Sequence, residues 1–488
     1  MSITSALSAA LSGIAAGNRK SAAVANNIAN ATTPGYGART VQTASQVASG
    51  PSGGGVRVTG VDRAADPVLI AERRLADADL GRSGTAAAFY TRLEGLIGTP
   101  DAGDSLGATL DAFETSLVVA ANSPESDAAL SGVVFAADRV AGKLNTISDG
   151  IQRARAEADA DINVAVDQLN ASLVELEKLN DQIVRARGTG GDTNSLLDAQ
   201  QRLVDGLSDL VPVRELRDQL GRLRLYSADG IALLDGRAAT FGFDPTPIIT
   251  PDMAVGGALS ALTVNGAPIP PNGAEPGLTG GRLGALFAVR DDLAVNAQTK
   301  LDAVARDLAE RFEAPGLDPT RGPTDPGLFT DQGALTDPLA EEGLAQRITL
   351  NALVDPDRGG AVFRLRDGLG AAAPAATVGD ATLLQGMSAA LKDARPTVSG
   401  GYSAAGRSIT VLSAEFLSIF AGERQFSASA ETFAVARRDT LQQAELANGV
   451  NTDAELQRLI LIEDLFQANA RVIQVAGNMM DEILRSIR

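Results

Sequence analysis

The sequence opens with MSITSALSAALSGIAAGNRKSAAVANNIAN, residues 1–30, in which apolar and small residues recur at steps that alternate between four and three. This alternation is the seam spacing of a coiled-coil helix. The seam positions are Ile3, Leu7, Ala10, Ile14, Gly17, Ser21, Val24 and Ile28. We expect a helix from Ile3 to Ala31, since the residue before Pro34 avoids helical backbone angles. Pro34-Gly35 favours the centre of a type II turn.

The end of the chain carries a second seam with the same alternation but bulkier side chains. Its positions are Leu459, Ile462, Phe466, Asn469, Ile473, Ala476, Met480, Ile483 and Ile487. A seam of small side chains and a seam of bulky side chains complement each other, so we predict that the two ends pair, with polar Asn469 fixing the register. The alternative is that the two helices merely cap one globular core. The length and terminal placement of the seams favour assembly.

The middle of the chain is mainly helical in pattern. A long helix is predicted over 124–187; whether it is continuous is left open, and Asp149-Gly150 is the position at which a break would fall. Asp229-Gly230 and Asp235-Gly236 are hairpin dipeptides, which indicate a small antiparallel sheet in 211–243. Further helices are predicted over 67–98, 105–121 and 382–392, and from 399 to the end. Further strands are predicted over 34–62 and at 262–264, 347–350 and 361–365.

These patterns predict a mainly α fold with β insertions. The terminal helices pair as a coiled coil, a long helical bundle forms the body, and a small antiparallel β-rich region lies outside it. The predicted parts are a terminal assembly domain (1–33 with 450–488), a linker of loop and short strands (34–66), a helical body (67–210 with 281–314 and 382–449) and a β-rich outer region (211–280 with 315–381).

Composition narrows the possible functions. The net charge of −18 would repel a phosphate backbone or an anionic membrane surface, so nucleic acid and membrane are not expected as partners. The absence of Cys and His removes thiol and imidazole chemistry and the usual zinc sites, and we predict no catalytic residue, cofactor or metal. No cleavable leader is predicted, because no basic residue precedes Arg19 and Ser and Thr interrupt the apolar positions.

Motifs at the two extremes of the chain carry a family resemblance. The run Asn26-Asn27-Ile28-Ala29-Asn30-Ala31-Thr32-Thr33-Pro34-Gly35-Tyr36 resembles the signature of the flagellar rod, hook and hook-associated protein superfamily. Gly449-Val450-Asn451 and the run from Gln467 to Ile473 resemble its C-terminal motif. In the middle, Asn194-x-Leu196-Leu197-Asp198 and Gly281-x-Leu283-Gly284-x-Leu286, followed by Arg290-Asp291, are similar to the hook-associated protein 1 family. Where that family commonly has Gln-Arg-Asp, this chain has Ala199-Gln200-Gln201.

The resemblance implies an axial structural protein at the junction of flagellar hook and filament. It implies type III export, a homo-oligomeric ring, and hook protein, hook-associated protein 3 and an export chaperone as partners. The implied assembly residues of the N-terminal seam and motif are Ile3, Leu7, Ile14, Val24, Asn27, Ile28, Asn30, Pro34, Gly35 and Tyr36. Those of the C-terminal seam and motif are Gly449, Val450, Asn451, Leu459, Ile462, Phe466, Asn469, Ile473, Met480 and Ile483.

Three other classes of function compete with this interpretation. A hook or rod subunit of the same superfamily would share the terminal motifs but not the helical region 67–210. A non-flagellar coiled-coil scaffold or adhesin would explain the helices but not the paired motifs. A carboxylate-based glycosidase would need two facing acids about 5–9 Å apart, and no spacing among the 60 acidic residues singles out such a pair.

Overall fold

A computed structural model describes residues 2–46, 54–269 and 278–486. It is mainly helical, and its helices are α1 (Ile3–Ala29), α2 (Pro67–Ile97), α3 (Leu106–Asn122), α4 (Asp127–Gly188), α5 (Asn194–Ser208), α6 (Gly281–Ala288), α7 (Ala294–Phe312), α8 (Leu344–Arg347), α9 (Arg364–Asp367), α10 (Thr382–Lys392), α11 (Ile409–Ala447) and α12 (Thr452–Ser486). A π-helical turn, Val289–Leu293, joins α6 to α7. The mainly α prediction is confirmed.

The strands form small sheets in which every strand pair is antiparallel. They are β1 (Ala38–Gln46), β2 (Gly55–Ala64), β3 (Val213–Arg217), β4 (Leu223–Ser227), β5 (Ala232–Asp235), β6 (Arg237–Ala238), β7 (Phe241–Gly242), β8 (Thr263–Val264), β9 (Ala267–Pro268), β10 (Phe329–Asp331), β11 (Ile348–Leu350), β12 (Arg395–Pro396) and β13 (Gly406–Arg407). The largest sheet has the order β3-β4-β5-β6. It contains the two Asp-Gly hairpins, whose Gly230 and Gly236 have positive φ as such tight turns require.

The chain divides into two compact units. Unit 1 comprises Met1–Leu80, Gln168–Thr240 and Phe433–Arg488, and unit 2 comprises Gly81–Asp167 and Phe241–Thr432. Unit 1 contains α1, α5, α12, the β1–β2 hairpin and the sheet β3–β6. Unit 2 contains α3, α6, α7, α10 and the remaining small sheets. The four-part domain division drawn from the sequence stays a prediction.

The longest helix, α4, corresponds to the long helix predicted over 124–187. It is 62 residues long, about 93 Å at 1.5 Å per residue. Its seam side chains are buried at Val133, Val140, Leu144, Ile147, Ile151, Ile162, Leu169, Leu173, Leu176 and Ile183. The helix is continuous through Asp149-Gly150. A Cβ at Gly150 would lie 2.4 Å from Cδ1 of Leu96, so this glycine makes room for α2 instead of ending α4.

Several element predictions are wrong for local reasons. Pro124 lies in a turn ahead of α4, and Ser126 caps the helix by accepting the Ala129 N–H at 3.2 Å. The predicted strand at 361–365 is instead a turn followed by α9, whose amides bond carbonyls three and four residues back. The helix predicted from 399 begins only at Ile409, because Gly400 and Gly401 adopt positive φ before the short strand β13.

The outer region is less β-rich than its sequence suggested. Residues 315–381 hold only the three-residue strands β10 and β11. The rest of that segment is loop and short helical turns, including Pro338–Ala340, Ala352–Val354 and Pro356–Arg358.

Candidate assembly site at the chain termini

The two ends of the chain pack against each other as an antiparallel helix pair. Ile3 and Ala6 at the start of α1 border the same groove as Val475 and Met479 near the end of α12. Further along α1, Gly13 faces Asn469, and a Cβ at Gly13 would lie 2.9 Å from Nδ2 of Asn469. Contacts therefore move back along α12 as α1 advances. The predicted pairing of the terminal helices is confirmed.

The structure places the predicted seam residues at different depths. On the N-terminal side, Val24 and Asn27 are buried, Pro34 is exposed, and the half-buried ones are Ile3, Leu7, Ile14, Ile28, Asn30, Gly35 and Tyr36. On the C-terminal side, Ile462 is buried and the half-buried ones are Asn469, Ile473, Gly449 and Val450. Leu459, Phe466, Met480, Ile483 and Asn451 are exposed. Ile487 lies outside the described residues.

Small residues let α1 approach two neighbours at once. Ala10, Ala16, Gly17 and Ala23 are buried, and none has a side chain larger than a methyl group. Beside α12, the second neighbour is the β1–β2 hairpin, whose Val56 N–H donates to Oγ of Ser12 at 3.0 Å. The third face of α1 is left to solvent.

Asn27 fastens the end of α1 to the strand that follows. Its buried side chain donates from Nδ2 to the Arg39 carbonyl at 2.9 Å and accepts the Arg39 N–H on Oδ1 at 2.8 Å. Oδ1 also accepts the Tyr36 hydroxyl at 2.8 Å. The amide thus pairs with Arg39 as a neighbouring strand would, satisfying two main-chain groups at the edge of β1.

The turn between α1 and β1 forms as its residues predict. The Tyr36 N–H donates to the Thr33 carbonyl at 3.2 Å across Pro34 and Gly35. Gly35 has a φ of +73°, the left-handed region that a type II turn requires at this position. Before the turn, Asn30 caps α1 and donates from Nδ2 to the Asn26 carbonyl at 2.9 Å.

Gly35→Ala is expected to lower the free energy of unfolding by about 1–2 kcal/mol, the cost of a left-handed backbone for a residue with a Cβ. The new Cβ would also lie 2.7 Å from Cγ of Arg202. Urea unfolding followed by circular dichroism measures the change. Gly60→Ala in the β1–β2 hairpin that follows is the control, because its Cβ meets no atom within 4 Å, and an equal loss there would contradict the turn argument.

Asp198 on α5 holds the start of the hairpin. It is buried, accepts the Gly37 N–H at 3.2 Å, and forms ion pairs with Arg39 at 3.2 Å and Arg63 at 2.6 Å. Arg63 also donates to the Gly35 carbonyl at 3.1 Å and to the side chain of Gln201. The sequence singled out Asp198 within a family motif but assigned it no role. Its partners lie more than 130 residues away along the chain, which no local pattern reveals.

A second polar cluster joins α5 to the end of α11. Arg73 pairs with Asp77 at 2.7 Å, Asp205 at 2.6 Å and Glu445 at 2.5 Å. Burial by itself lowers the pKa of Arg73, but the carboxylates of Asp205 and Glu445 raise it above its ordinary value. Glu445 also accepts from Nε2 of Gln201 at 3.2 Å. Gln201, one of the three residues that replace the commoner family triplet, is therefore part of this network.

The start of α12 comes close to the Asn27 motif. Asn451 caps the helix by accepting the Ala454 N–H at 3.0 Å. Glu455, one turn later, is buried, and only one of its carboxylate oxygens is bonded, by Arg458. Burial raises the pKa of Tyr36, while Arg39 lowers it and the charges of Asp198 and Glu455 raise it further. The Tyr36 hydroxyl therefore stays protonated and can donate to Asn27.

Most of the apolar surface of α12 has no partner within the chain. Large apolar side chains exposed on this helix include Leu461 at 62%, Leu465 at 55%, Val475 at 53% and Met479 at 54%. Monomeric soluble proteins rarely expose a contiguous apolar surface of this kind, and larger patches mark interaction sites.

Among the described residues, no helix is both long and apolar enough to cross a membrane. No group of three or more acidic residues in that part of the chain is arranged to hold a metal ion. The chemistry offered at the termini is apolar burial and main-chain hydrogen bonding.

Comparison with known proteins identifies two regions of the chain. Residues 90–315 match the family model described as flagellar hook-associated protein FlgK helical domain, and residues 441–486 match flagellar basal body rod FlgEFG protein C-terminal. Flagellar hook-associated protein 1 of Bacillus subtilis is 30% identical over 45% of this chain and 46% of its own length. The Salmonella typhimurium protein of the same name is 29% identical over 49% of this chain and 44% of its own.

The chain thus covers less than half the length of these curated relatives. Among solved structures, it resembles the flagellar hook junction protein FlgK from Burkholderia pseudomallei, with a TM-score of 0.43 and 23% identity over 53% of this chain and 46% of that one. The resemblance to hook-associated proteins drawn from the motifs is confirmed by the family model and the curated relatives. The chain is therefore similar to the flagellar hook-associated protein FlgK helical domain over residues 90–315 and to the C-terminal region of flagellar rod proteins over residues 441–486.

Proposed function

We propose that this chain is a structural subunit that joins the hook to the filament of the bacterial flagellum and that it assembles with copies of itself through α1 and α12. The observation that carries the proposal is the uncovered apolar surface of α12, which the chain cannot bury alone. Burying it between copies would supply the driving force for association. The match of residues 90–315 to the hook-associated helical domain supports the junction role.

The proposal includes export and partners. The subunit leaves the cell through the flagellar type III apparatus, forms an axial ring, and contacts hook protein below and hook-associated protein 3 above. An export chaperone would cover the apolar face of α12 beforehand, since this surface would otherwise associate too early. The assembly residues are those of the two terminal seams and the Asn27 motif. The absence of cysteine agrees with export that does not depend on disulfide formation.

Deleting the gene tests the junction role. We expect cells to keep their hooks, to lack filaments, and to release flagellin into the medium, as seen by electron microscopy and immunoblotting. A plasmid copy of the intact chain should restore filaments. Normal filaments in the deletion strain would contradict the proposal.

A hook or rod subunit is the second candidate, and the C-terminal match over 441–486 is the observation that favours it. The same experiment separates the two. Loss of a rod or hook subunit would remove the hook itself, whereas loss of a junction subunit leaves hooks in place.

A further inference from the structure

The largest sheet, in unit 1, has an open edge. In the order β3-β4-β5-β6, strand β3 pairs with β4 on one side and with no other strand of the described residues. Its register against β4 is regular from Val213 to Arg217. The outer side of such a strand presents unpaired main-chain N–H and C=O groups to any extended segment that approaches it. The hydrogen bonds at the two ends of β3 show which groups these are.

Two hydrogen bonds fix which residues of β3 face β4. The Ala228 N–H donates to the Pro212 carbonyl at 2.9 Å, and the Asp218 N–H donates to the Arg222 carbonyl at 3.1 Å. Alternate residues of an antiparallel strand bond the same neighbour, so the even-numbered residues of β3 face β4. The main-chain groups of Glu215, and of the odd-numbered residues on either side of it, therefore point away from β4. Within the described part of the chain, no main-chain bond from another segment closes this edge.

The outer face of the edge strand combines exposed leucines with arginine. Side chains alternate along a strand, so Arg214 and Leu216 project from the solvent face of the sheet. Leu216 is 60% exposed, and Leu220, in the hairpin that joins β3 to β4, is 62% exposed. Helix α5 meets the opposite face, where Gln200 accepts a hydrogen bond from Arg217 at 3.0 Å. An apolar surface open to solvent therefore lies directly beside the open edge.

Two arginines beside β3 have no carboxylate partner. Among the described residues, no ion pair is formed by Arg214, or by Arg187, whose guanidinium donates to a main-chain carbonyl of the β3–β4 hairpin at 3.2 Å. The neighbouring carboxylates are already engaged. Glu215 pairs with Arg74, and Asp218 accepts two main-chain N–H groups of its own turn at 2.9 Å. The edge is thus locally basic in a chain whose net charge is −18.

We propose that β3 receives an additional strand from another polypeptide, an extended segment in which an acidic and an apolar residue lie two positions apart. Its main chain would bond the free N–H and C=O groups of Glu215, its acidic side chain would meet Arg214, and its apolar side chain would cover Leu216. The spacing of two is required because Arg214 and Leu216 project from the same face. This strand addition concerns unit 1 alone and goes beyond the proposed junction role.

A second copy of β3 is a poor occupant of this edge. Antiparallel pairing of two β3 strands would bring the unpaired Arg214 of both copies into one small sheet, and like charges on facing strands destabilise a pair. An acidic segment instead forms a charge-assisted hydrogen bond with the same guanidinium. Charged side chains on an edge strand can also serve only to keep other strands away, and in that case no segment binds.

Hydrogen exchange of the full chain in the presence of a synthetic peptide tests the strand addition. The probe is acetyl-Thr-Val-Thr-Asp-Thr-Val-Thr-amide, which presents valine and aspartate on one face, at up to about 1 mM. We expect the amides of Glu215 and Arg217 to exchange roughly ten-fold more slowly or better, because the peptide bonds them directly. The amides of Arg214 and Leu216, which already bond β4, should change by less than about three-fold. Protection of neither amide pair, or equal protection of both, would overturn the proposal.

Charge reversal at Arg214 tests the role assigned to the acidic residue. Arg214→Glu should weaken binding of the peptide by roughly ten-fold or more in isothermal titration calorimetry, and a peptide with lysine in place of aspartate should bind this variant better than the unaltered chain. The control is Arg237→Glu, which changes the charge equally at an exposed arginine on β6, the opposite edge of the same sheet. It should change the affinity by less than about three-fold. An equal loss in the two variants would show that overall charge attracts the peptide and would overturn the edge site.

Discussion

Replacing Asn27 with alanine is expected to destabilise the junction of α1 with the hairpin by about 3 kcal/mol, because buried main-chain groups lose their partners. The Arg39 N–H and carbonyl would both lose the side chain that bonds them at 2.8 and 2.9 Å. Tyr36 would lose its hydrogen-bond acceptor as well. Amide hydrogen exchange measures the effect directly, and protection of the Arg39 amide should fall by about a hundred-fold, which corresponds to roughly 3 kcal/mol.

Asn26→Ala is the matched control for this change. Asn26 precedes Asn27 on the same helix, but its side chain is exposed. Its loss should therefore change the exchange protection of the Arg39 amide by less than three-fold. If the two variants change protection equally, helix propensity and not the Asn27 amide accounts for the effect. The same pair of variants separates stability from assembly: Asn27→Ala should also weaken the restoration of filaments, whereas Asn26→Ala should not.

The sequence predicted the features that depend on local periodicity. The helical pattern over 124–187 located α4, and the complementary seams identified α1 and α12 as partners. The Asp-Gly and Pro-Gly dipeptides located their turns, because these residues determine the backbone angles that they can adopt.

Features that depend on contacts between residues far apart in the chain could not be predicted from the sequence. Gly150 suggested a break in α4 because nothing local shows that Leu96 packs against it. Asp198 stood within a recognisable motif, but its role depends on Arg39 and Arg63, which folding brings to it. The exposed apolar surface of α12, which includes Leu461 and Leu465, was also missed, since adjacent apolar stripes on one helix do not reveal which of them the chain itself covers.

We expect the largest loss in the free energy of unfolding from a single substitution at the buried ion pair in unit 2. Arg290 is wholly buried, as is Asp159, and their side chains lie 2.7 Å apart. Asp291 binds the same guanidinium at 2.7 Å, and the rings of Phe243 and Phe287 lie 5.4 and 5.0 Å from its central carbon. Arg290→Leu would leave the two carboxylates without their cation, and we expect a loss of about 3–5 kcal/mol in the free energy of unfolding.

The reason for so large an effect is that Asp159 bonds two segments at once. Its other oxygen accepts the Thr246 N–H at 2.5 Å, so the ion pair ties the loop after β7 to α4. Urea unfolding of unit 2 and exchange of the Thr246 amide should therefore change together in Arg290→Leu. The control is Arg153→Leu, which removes an exposed arginine from α4 and should change stability by less than about 0.5 kcal/mol.

A double variant separates the loss of the ion pair from the burial of an unpaired carboxylate. Adding Asp159→Asn to Arg290→Leu removes one uncompensated carboxylate while keeping an oxygen that can accept from Thr246. If burial of an unpaired charge dominates, the double variant recovers part of the stability that Arg290→Leu loses. If it is less stable than the single variant, the bond from the Thr246 N–H to the charged Asp159 carboxylate stabilises the fold by more than the burial of that charge costs. A loss no greater than that of Arg153→Leu would show that unit 2 does not depend on this ion pair.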